Sequence, residues 1–133
     1  MANKKAPAKE SSTGRFAYEG LDRTIHEKAR LGIMASLAAQ PDGVLFTELK
    51  QLCALTDGNL NRHLQVLQQA GYVELWKGTQ NRRPQTLCRL TRQGRQELLD
   101  YLAVLEGVVS DAAAARRVHR PASDSPRWGF SGA

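Results

Sequence analysis

The sequence is poor in cysteine and in long hydrophobic runs, and each of these two shortages excludes a class of protein. Two cysteines among 133 residues are too few for a small disulfide-stabilised scaffold. No run of about 18 apolar residues is present, so no membrane-spanning helix is predicted. Residues 1–18 also lack the apolar stretch of a secretory signal. We therefore expect a single-domain cytoplasmic protein with no membrane partner.

The motifs of common enzymes are also missing. We find no glycine-rich phosphate loop, no nucleophile elbow and no conspicuous pair of carboxylates. No two of the histidines and cysteines stand at metal-ligand spacing. Cys53 and Cys88 are interpreted as small buried hydrophobic residues, with a redox-sensing thiol as the open alternative. We therefore expect neither an enzyme nor a protein with a metal or organic cofactor.

Amphipathic patterns fill the first half of the chain. Apolar residues recur at helical spacing from Leu21 to Leu37, which predicts a first helix. Thr47 is expected to cap a short second helix, and Thr56 a third whose apolar face contains Leu60 and Leu64. Gly71 is expected to end that third helix. A three-residue connection, residues 54–56, then makes a helix-turn-helix.

After Gly71 the hydrophobic period changes from helical to alternating. Residues 72–77 and 85–90 alternate as half-buried strands do, with a polar, basic connection at 78–84 that exceeds the length of a tight turn. Thr91 is expected to cap a last helix, whose apolar face is wide for a surface helix. The sequence thus predicts a hairpin with a basic tip, followed by a helix that needs a covering partner.

Positive charge is concentrated in one part of the chain. The net charge is +6, and residues 58–96 alone carry seven Lys or Arg and one acidic residue. This part comprises the third helix, the hairpin and the start of the last helix. Such a distribution is typical of a surface that faces phosphate groups. A basic surface that is merely solvated is the alternative.

The order of elements and two short segments resemble a known family. Residues 61–73, NRHLQVLQQAGYV, and residues 90–95, LTRQGR, are similar to winged-helix transcriptional regulators of the ArsR and MarR kind. The resemblance covers about residues 20–109. It implies an α+β, mainly α, winged helix-turn-helix fold with a three-helix core, a two-stranded wing and a C-terminal helix. In this family the third helix lies in the major groove and the wing contacts the backbone or minor groove.

The resemblance assigns candidate DNA-binding residues to the third helix and to the wing. Asn and Gln can pair with adenine and Arg with guanine, while arginines at a wing tip suit phosphates or a narrow minor groove. His63 is interpreted as contacting phosphate or packing between helices. The helix candidates are Gly58, Asn59, Asn61, Arg62, His63 and Gln65. The wing candidates are Lys77, Gln80, Asn81, Arg82 and Arg83.

The expected assembly follows from the same resemblance. Residues 1–18 are predicted as a flexible basic arm, 19–110 as the winged-helix domain with a dimerisation helix, and 111–133 as a disordered tail. Operators are commonly palindromic, so a homodimer acting as a repressor on double-stranded DNA is expected. A winged helix that binds protein instead of DNA is the alternative, and no small-molecule effector is identified. The expected dimer residues are Leu31, Leu98, Leu102, Leu105 and Val109.

Overall fold

A computed structural model describes residues 14–118 and, for Val118, the backbone alone. The elements follow one another as helix, strand, two helices, two strands and a long helix. Their bounds are α1 (Lys28–Ala38), β1 (Val44–Leu45), α2 (Phe46–Cys53), α3 (Asp57–Gln69), β2 (Val73–Gln80), β3 (Arg83–Leu90), α4 (Arg92–Ala113) and a closing 3-10 helix (Ala114–Val118). This arrangement confirms the predicted winged helix-turn-helix fold.

The predicted caps are present at both ends of α3 but not at the start of α2. The hydroxyl of Thr56 accepts a hydrogen bond from the Asn59 amide at 3.1 Å, and Gly71 follows α3 with a positive φ of 84°. The connection contains Ala54 in the left-handed conformation, from which the chain turns into α3. Thr47 was expected to cap α2, but that helix begins one residue earlier, at Phe46. In place of a Thr47 cap, the Glu48 side chain accepts a hydrogen bond from the Leu45 amide at 3.2 Å and stabilises the start of α2.

The first helix begins later than the hydrophobic spacing predicts. Leu21 and Ile25 lie in turns before α1, because Asp22 Oδ1 accepts from the amides of Thr24 and Ile25 and forms a local turn. The Glu27 side chain then accepts from the Arg30 amide at 2.9 Å and caps α1. Ile25 is nevertheless fully buried. The apolar periodicity therefore indicated burial correctly but placed the start of the helix wrongly.

The wing is longer and its turn tighter than predicted. Strands β2 and β3 pair antiparallel up to Gln80 and Arg83, so the expected seven-residue connection shrinks to Asn81 and Arg82. Both turn residues have positive φ, 55° and 67°, which matches the backbone of a type I′ hairpin turn. Strand β1 pairs with the other edge of β3, giving the sheet order β1-β3-β2. The polar composition of the wing therefore does not mark a loop.

Both predicted tails contain ordered residues next to the domain. Arg15 forms two hydrogen bonds to the Asp111 carboxylate, at 2.8 and 3.0 Å, and the Tyr18 hydroxyl donates to the same group. The hydrogen bonds from Arg15 and then Tyr18 lower the pKa of Asp111. Arg15 and Tyr18, which belong to the predicted arm, therefore contact α4, and residues 111–118 of the predicted tail are helical. The rest of both predicted tails lies outside the described residues.

The hydrophobic core joins all the elements around α1. Its fully buried members come from the turn before α1, from α1, α2 and α3, and from strands β1 and β3, while the base of the wing and α4 close it. Tyr72 and Tyr101 are the aromatic residues of this core, and both hydroxyls find partners. The largest fully buried side chains are Ile25, Ile33, Met34, Leu37, Leu49, Leu60, Leu64 and Leu67.

Tyr72 links the wing base to the turn before α1 and makes stability depend on pH. Burial, and then the 2.6 Å hydrogen bond to Asp22 Oδ2, raise the pKa of Tyr72 well above its ordinary value near 10. A raised tyrosine pKa stabilises the fold below about pH 10, and that stability is lost as the pH rises further. We expect Tyr72→Phe to lower the unfolding free energy at pH 7 by about 1–3 kcal/mol, which is the usual cost of removing one partner of a buried hydrogen bond. Urea unfolding at pH 7 to 11 checks this, because the wild-type advantage should shrink above pH 10.

Candidate nucleic-acid interface

One face of α3 is polar and exposed, and the opposite face is core. Leu60, Leu64 and Leu67 are buried, which leaves the residues between them to line the outer surface of the helix. No atom outside the helix lies within 4 Å of a side chain added at Gly58, so its surroundings are open. The predicted residues brought together on this exposed face are Gly58, Asn59, Asn61, Arg62 and Gln65.

Two side-chain contacts organise the start of this face. Arg62 Nη2 donates to Asn59 Oδ1 at 2.8 Å, one helical turn apart. Asp57, in the first turn of α3, lies 2.9 Å from Lys50 Nζ on α2. Sequence reasoning missed Asp57 and Lys50 as part of this surface. The acidic residue in the first helical turn was the available signal, because carboxylates are favoured there.

His63 does not lie on the exposed face with the other candidates. Its side chain is only 15% exposed and is turned towards α1, with Glu27 Oε1 4.0 Å from Nδ1. Arg30 Nη1 lies 3.3 Å from the same nitrogen. Because arginine can only donate, Nδ1 is the acceptor in that contact. His63 therefore packs between helices, which is one of the two interpretations that its sequence position allowed, and its place among the exposed DNA-binding candidates is corrected.

The wing presents its basic tip to solvent. Arg82 lies in the turn and Arg83 begins β3. Both arginines are exposed, and so are Gln80 and Asn81 beside them. Lys77 is exposed further down β2. The type I′ turn places Asn81 and Arg82 at the extreme end of the hairpin. The structure thus exposes all five wing candidates, Lys77, Gln80, Asn81, Arg82 and Arg83.

Near the base of the wing, an ion pair and an aromatic ring contact each other. Arg89 Nε donates to Glu74 Oε2 at 3.0 Å across the strand pair. The Arg89 guanidinium also lies over the ring of Trp76, 5.5 Å from its centre. Arg89 is therefore engaged within the wing, which leaves the tip arginines as the more accessible cations of the hairpin.

The expected dimer residues have different positions in the structure. Leu98 is only 3% exposed and belongs to the core of the protomer, so its assignment to a dimer surface is corrected. Leu31 and Leu105 are half-buried against the core. Leu102 and Val109 are exposed, and so is Leu99, which the sequence argument did not include. An open groove of about 940 Å³ runs beside Leu31 along α1.

The cysteines differ in environment. Cys88 is buried in β3, and burial raises the pKa of its thiol to about 11, which leaves little reactive thiolate at neutral pH. Cys53 is half-buried near Ser36, with 3.8 Å between Sγ and Oγ. Among residues 14–118, no three metal-ligating side chains converge on one point. No helix within the same range is long and apolar enough to cross a membrane.

A helix-turn-helix with an exposed polar third helix and a basic two-stranded wing defines a winged-helix protein. A family model described as winged helix DNA-binding domain matches residues 29–109. The chain therefore belongs to the winged-helix DNA-binding domain family.

Relatives and solved structures agree with this assignment. An uncharacterized protein of Methanocaldococcus jannaschii is 39% identical over 57 residues, which cover 43% of this chain and 62% of that protein. This match therefore spans less than two thirds of the relative. A transcriptional regulator homologue of Pyrococcus horikoshii OT3 is 30% identical with a TM-score of 0.63, covering 67% of this chain and 87% of that one.

More distant structures share the fold. The MarR structure has 23% identity and a TM-score of 0.56 over 68% of this chain and 64% of that chain. The Mycobacterium tuberculosis transcriptional regulator MosR, solved in complex with DNA, has 22% identity and a TM-score of 0.57 over 77% of this chain and 76% of that chain. These similarities establish the MarR-like winged-helix fold.

Proposed function

We propose that this protein is a homodimeric transcriptional regulator that binds double-stranded DNA sequence-specifically and represses transcription. The exposed polar face of α3 together with the basic wing tip carries this proposal. Membership of the winged-helix DNA-binding domain family supports DNA binding. The similar fold of MosR, which was solved in complex with DNA, supports it further. A dimer seated on a promoter would exclude the polymerase, which is why repression is the proposed sign.

The two exposed surfaces suit different parts of a duplex. An α-helix fits the major groove, where Asn, Gln and Arg side chains can distinguish base pairs by their hydrogen-bonding edges. Arg82 and Arg83 stand at the end of the hairpin and can neutralise phosphates beside the groove or enter a narrow minor groove. We assign sequence reading to α3 and non-specific affinity to the wing.

Dimerisation supplies the second half-site. The exposed flank of α4 formed by Leu99, Leu102 and Val109 consists of large apolar side chains that lie side by side at the surface of the protomer. A two-fold axis beside this flank would bring two copies of the same surface together. Each protomer would then present one α3, so that the dimer reads a palindromic site.

Salt dependence of binding to a mixed-sequence duplex tests the proposal. Counterion release makes the logarithm of affinity fall with the logarithm of salt in proportion to the phosphates neutralised. We expect steep weakening between about 50 and 200 mM salt, and a slope shallower by about 2–4 in Arg82→Ala/Arg83→Ala, since two contacts per protomer are removed. Fluorescence anisotropy of a labelled duplex measures both slopes.

A matched variant separates wing contacts from a change in overall charge. Arg116 and Arg117 are exposed beyond α4, so Arg116→Ala/Arg117→Ala removes the same charge elsewhere. This control should keep the wild-type slope. Equal slopes in wild type and the wing variant would contradict a DNA-contacting wing. Absence of duplex binding by wild type at the lowest salt would overturn DNA binding and favour a winged helix that binds protein.

A further inference from the structure

The contact between Asn59 and Arg62 restricts what each side chain can do on the exposed face of α3. The asparagine oxygen accepts from Arg62 Nη2 at 2.8 Å, so it points along the helix. The backbone of Asn59 is also fixed, because its amide donates to the Thr56 hydroxyl that caps α3. Asn59 is thus held at both its main chain and its side chain.

These bonds leave the two side chains with unequal capacity to read bases. An asparagine that recognises adenine must direct both its oxygen and its amide nitrogen at the base edge. Here the Asn59 oxygen is directed at Arg62 instead. The arginine has five N–H donors and uses one on Asn59, so four remain, enough for the two-bond contact with guanine O6 and N7.

The charge around this pair favours the same arrangement. Asp57 is the acidic residue of the first turn and could compete for the Arg62 guanidinium. Its carboxylate lies 2.9 Å from Lys50 Nζ, so it is already paired with α2. The neutral oxygen of Asn59 therefore orients Arg62 and leaves the net charge of this face positive, which favours the approach of phosphate at any sequence.

We infer that Asn59 is a positioning residue that orients Arg62, and that Arg62 reads a guanine in each half-site. This inference rests on the proposed DNA-binding function. It replaces the expectation that Asn59 reads adenine by itself. The orientation of a long side chain before binding reduces the conformational freedom that binding must remove, and so sharpens discrimination between bases.

The test begins with selection of bound duplexes from a random library by the wild-type protein. The preference for guanine at each position is then measured in Asn59→Ala, Arg62→Lys and the double variant. Lysine keeps the charge but loses the planar two-bond contact. We expect both single variants to lose preference at the same base pair, by about 5- to 150-fold for Arg62→Lys. The double variant should lose no more than Arg62→Lys alone, because the two residues act as one unit.

A conservative variant distinguishes positioning from direct reading. Asn59→Asp keeps an acceptor oxygen for Arg62 but loses the amide donor that adenine requires. We expect it to retain the guanine preference even where overall affinity falls, since the added charge repels phosphate at every sequence alike. Gln68→Ala, which is exposed on α3 but is not among the candidate DNA-binding residues, should leave the preference at that guanine unchanged.

Different outcomes overturn the inference and the proposed function. Losses at two separate base pairs that add in the double variant would show that Asn59 reads a base by itself. Loss of the guanine preference in Asn59→Asp would also overturn the inference. Wild-type binding that enriches no sequence would overturn both sequence-specific recognition and this inference, while leaving duplex binding intact. Failure to bind any duplex would overturn the proposed function itself.

Discussion

Replacing Gly94 by alanine is expected to destabilise the fold by about 3 kcal/mol or more, a large share of the roughly 5–15 kcal/mol that keeps a domain folded. A β-carbon at Gly94 would lie 2.1 Å from the backbone oxygen of Tyr72. Such a contact is far inside van der Waals distance, and its partner is main chain, which cannot rotate away as a flexible side chain can. Either α4 or the base of the wing would have to move.

The neighbouring hydrogen bonds make that movement costly. The Tyr72 oxygen accepts from the Thr91 amide at 3.0 Å, and the Thr91 hydroxyl donates to the Gly71 oxygen at 2.6 Å. Thr91 also caps α4 through the Gly94 amide. A shift at Gly94 would therefore disturb the end of α3, the start of β2 and the cap of α4 together.

Gly107 provides the matched control in the same helix. No atom outside the backbone of α4 lies within 4 Å of a β-carbon built at that position. Gly107→Ala should stabilise the protein by about 1 kcal/mol, because alanine favours a helix interior over glycine. Thermal unfolding followed by circular dichroism measures both variants. A Gly94→Ala protein with a wild-type melting temperature would contradict the close packing of α4 on the wing base.

Features of the fold that depend on neighbours in sequence could be predicted. Thr56 and Thr91 cap helices as expected, and Gly71 ends α3, because each acts on groups within a few residues of itself. The start of α1 was mispredicted, since Asp22 forms a competing turn that hydrophobic spacing does not reveal. The wing turn was mispredicted because strand pairing ordered a polar segment and placed Arg82 at positive φ.

In the candidate site, too, helical spacing predicted which residues are exposed but not which side chains contact each other. Helical spacing correctly separated exposed Asn61 and Gln65 from the buried leucines of α3. Helical spacing could not show that His63 contacts Arg30, a residue 33 positions away. Nor could it show that the Asn59 side chain accepts a hydrogen bond from Arg62. On α4 the apolar face is wide enough that spacing alone did not separate Leu98, which is buried, from exposed Leu99. These distinctions depend on tertiary packing and side-chain orientation.

Loss of dimerisation is expected to have the largest effect on DNA binding. We expect Leu102→Glu/Val109→Glu to produce a folded monomer, because the two side chains are exposed in the protomer, Val109 to 62%, while two-fold packing would bury them. Charges placed in an apolar seam have no partner and oppose association. A palindromic site would then bind about 10²–10⁴-fold more weakly, since the second α3 no longer acts at high effective concentration.

Sedimentation velocity and anisotropy on a palindrome and on a single half-site measure these effects. Gln96→Glu/Gly107→Glu is the matched control, because both residues are exposed on α4 and lie on the side of the helix that is turned away from Leu102 and Val109. This control should remain a dimer with wild-type affinity. The half-site affinity of Leu102→Glu/Val109→Glu should also stay near that of wild type, since neither substitution touches α3 or the wing. A dimeric Leu102→Glu/Val109→Glu protein would place the two-fold contact elsewhere, and a monomeric one with unchanged palindrome affinity would contradict recognition by paired α3 helices.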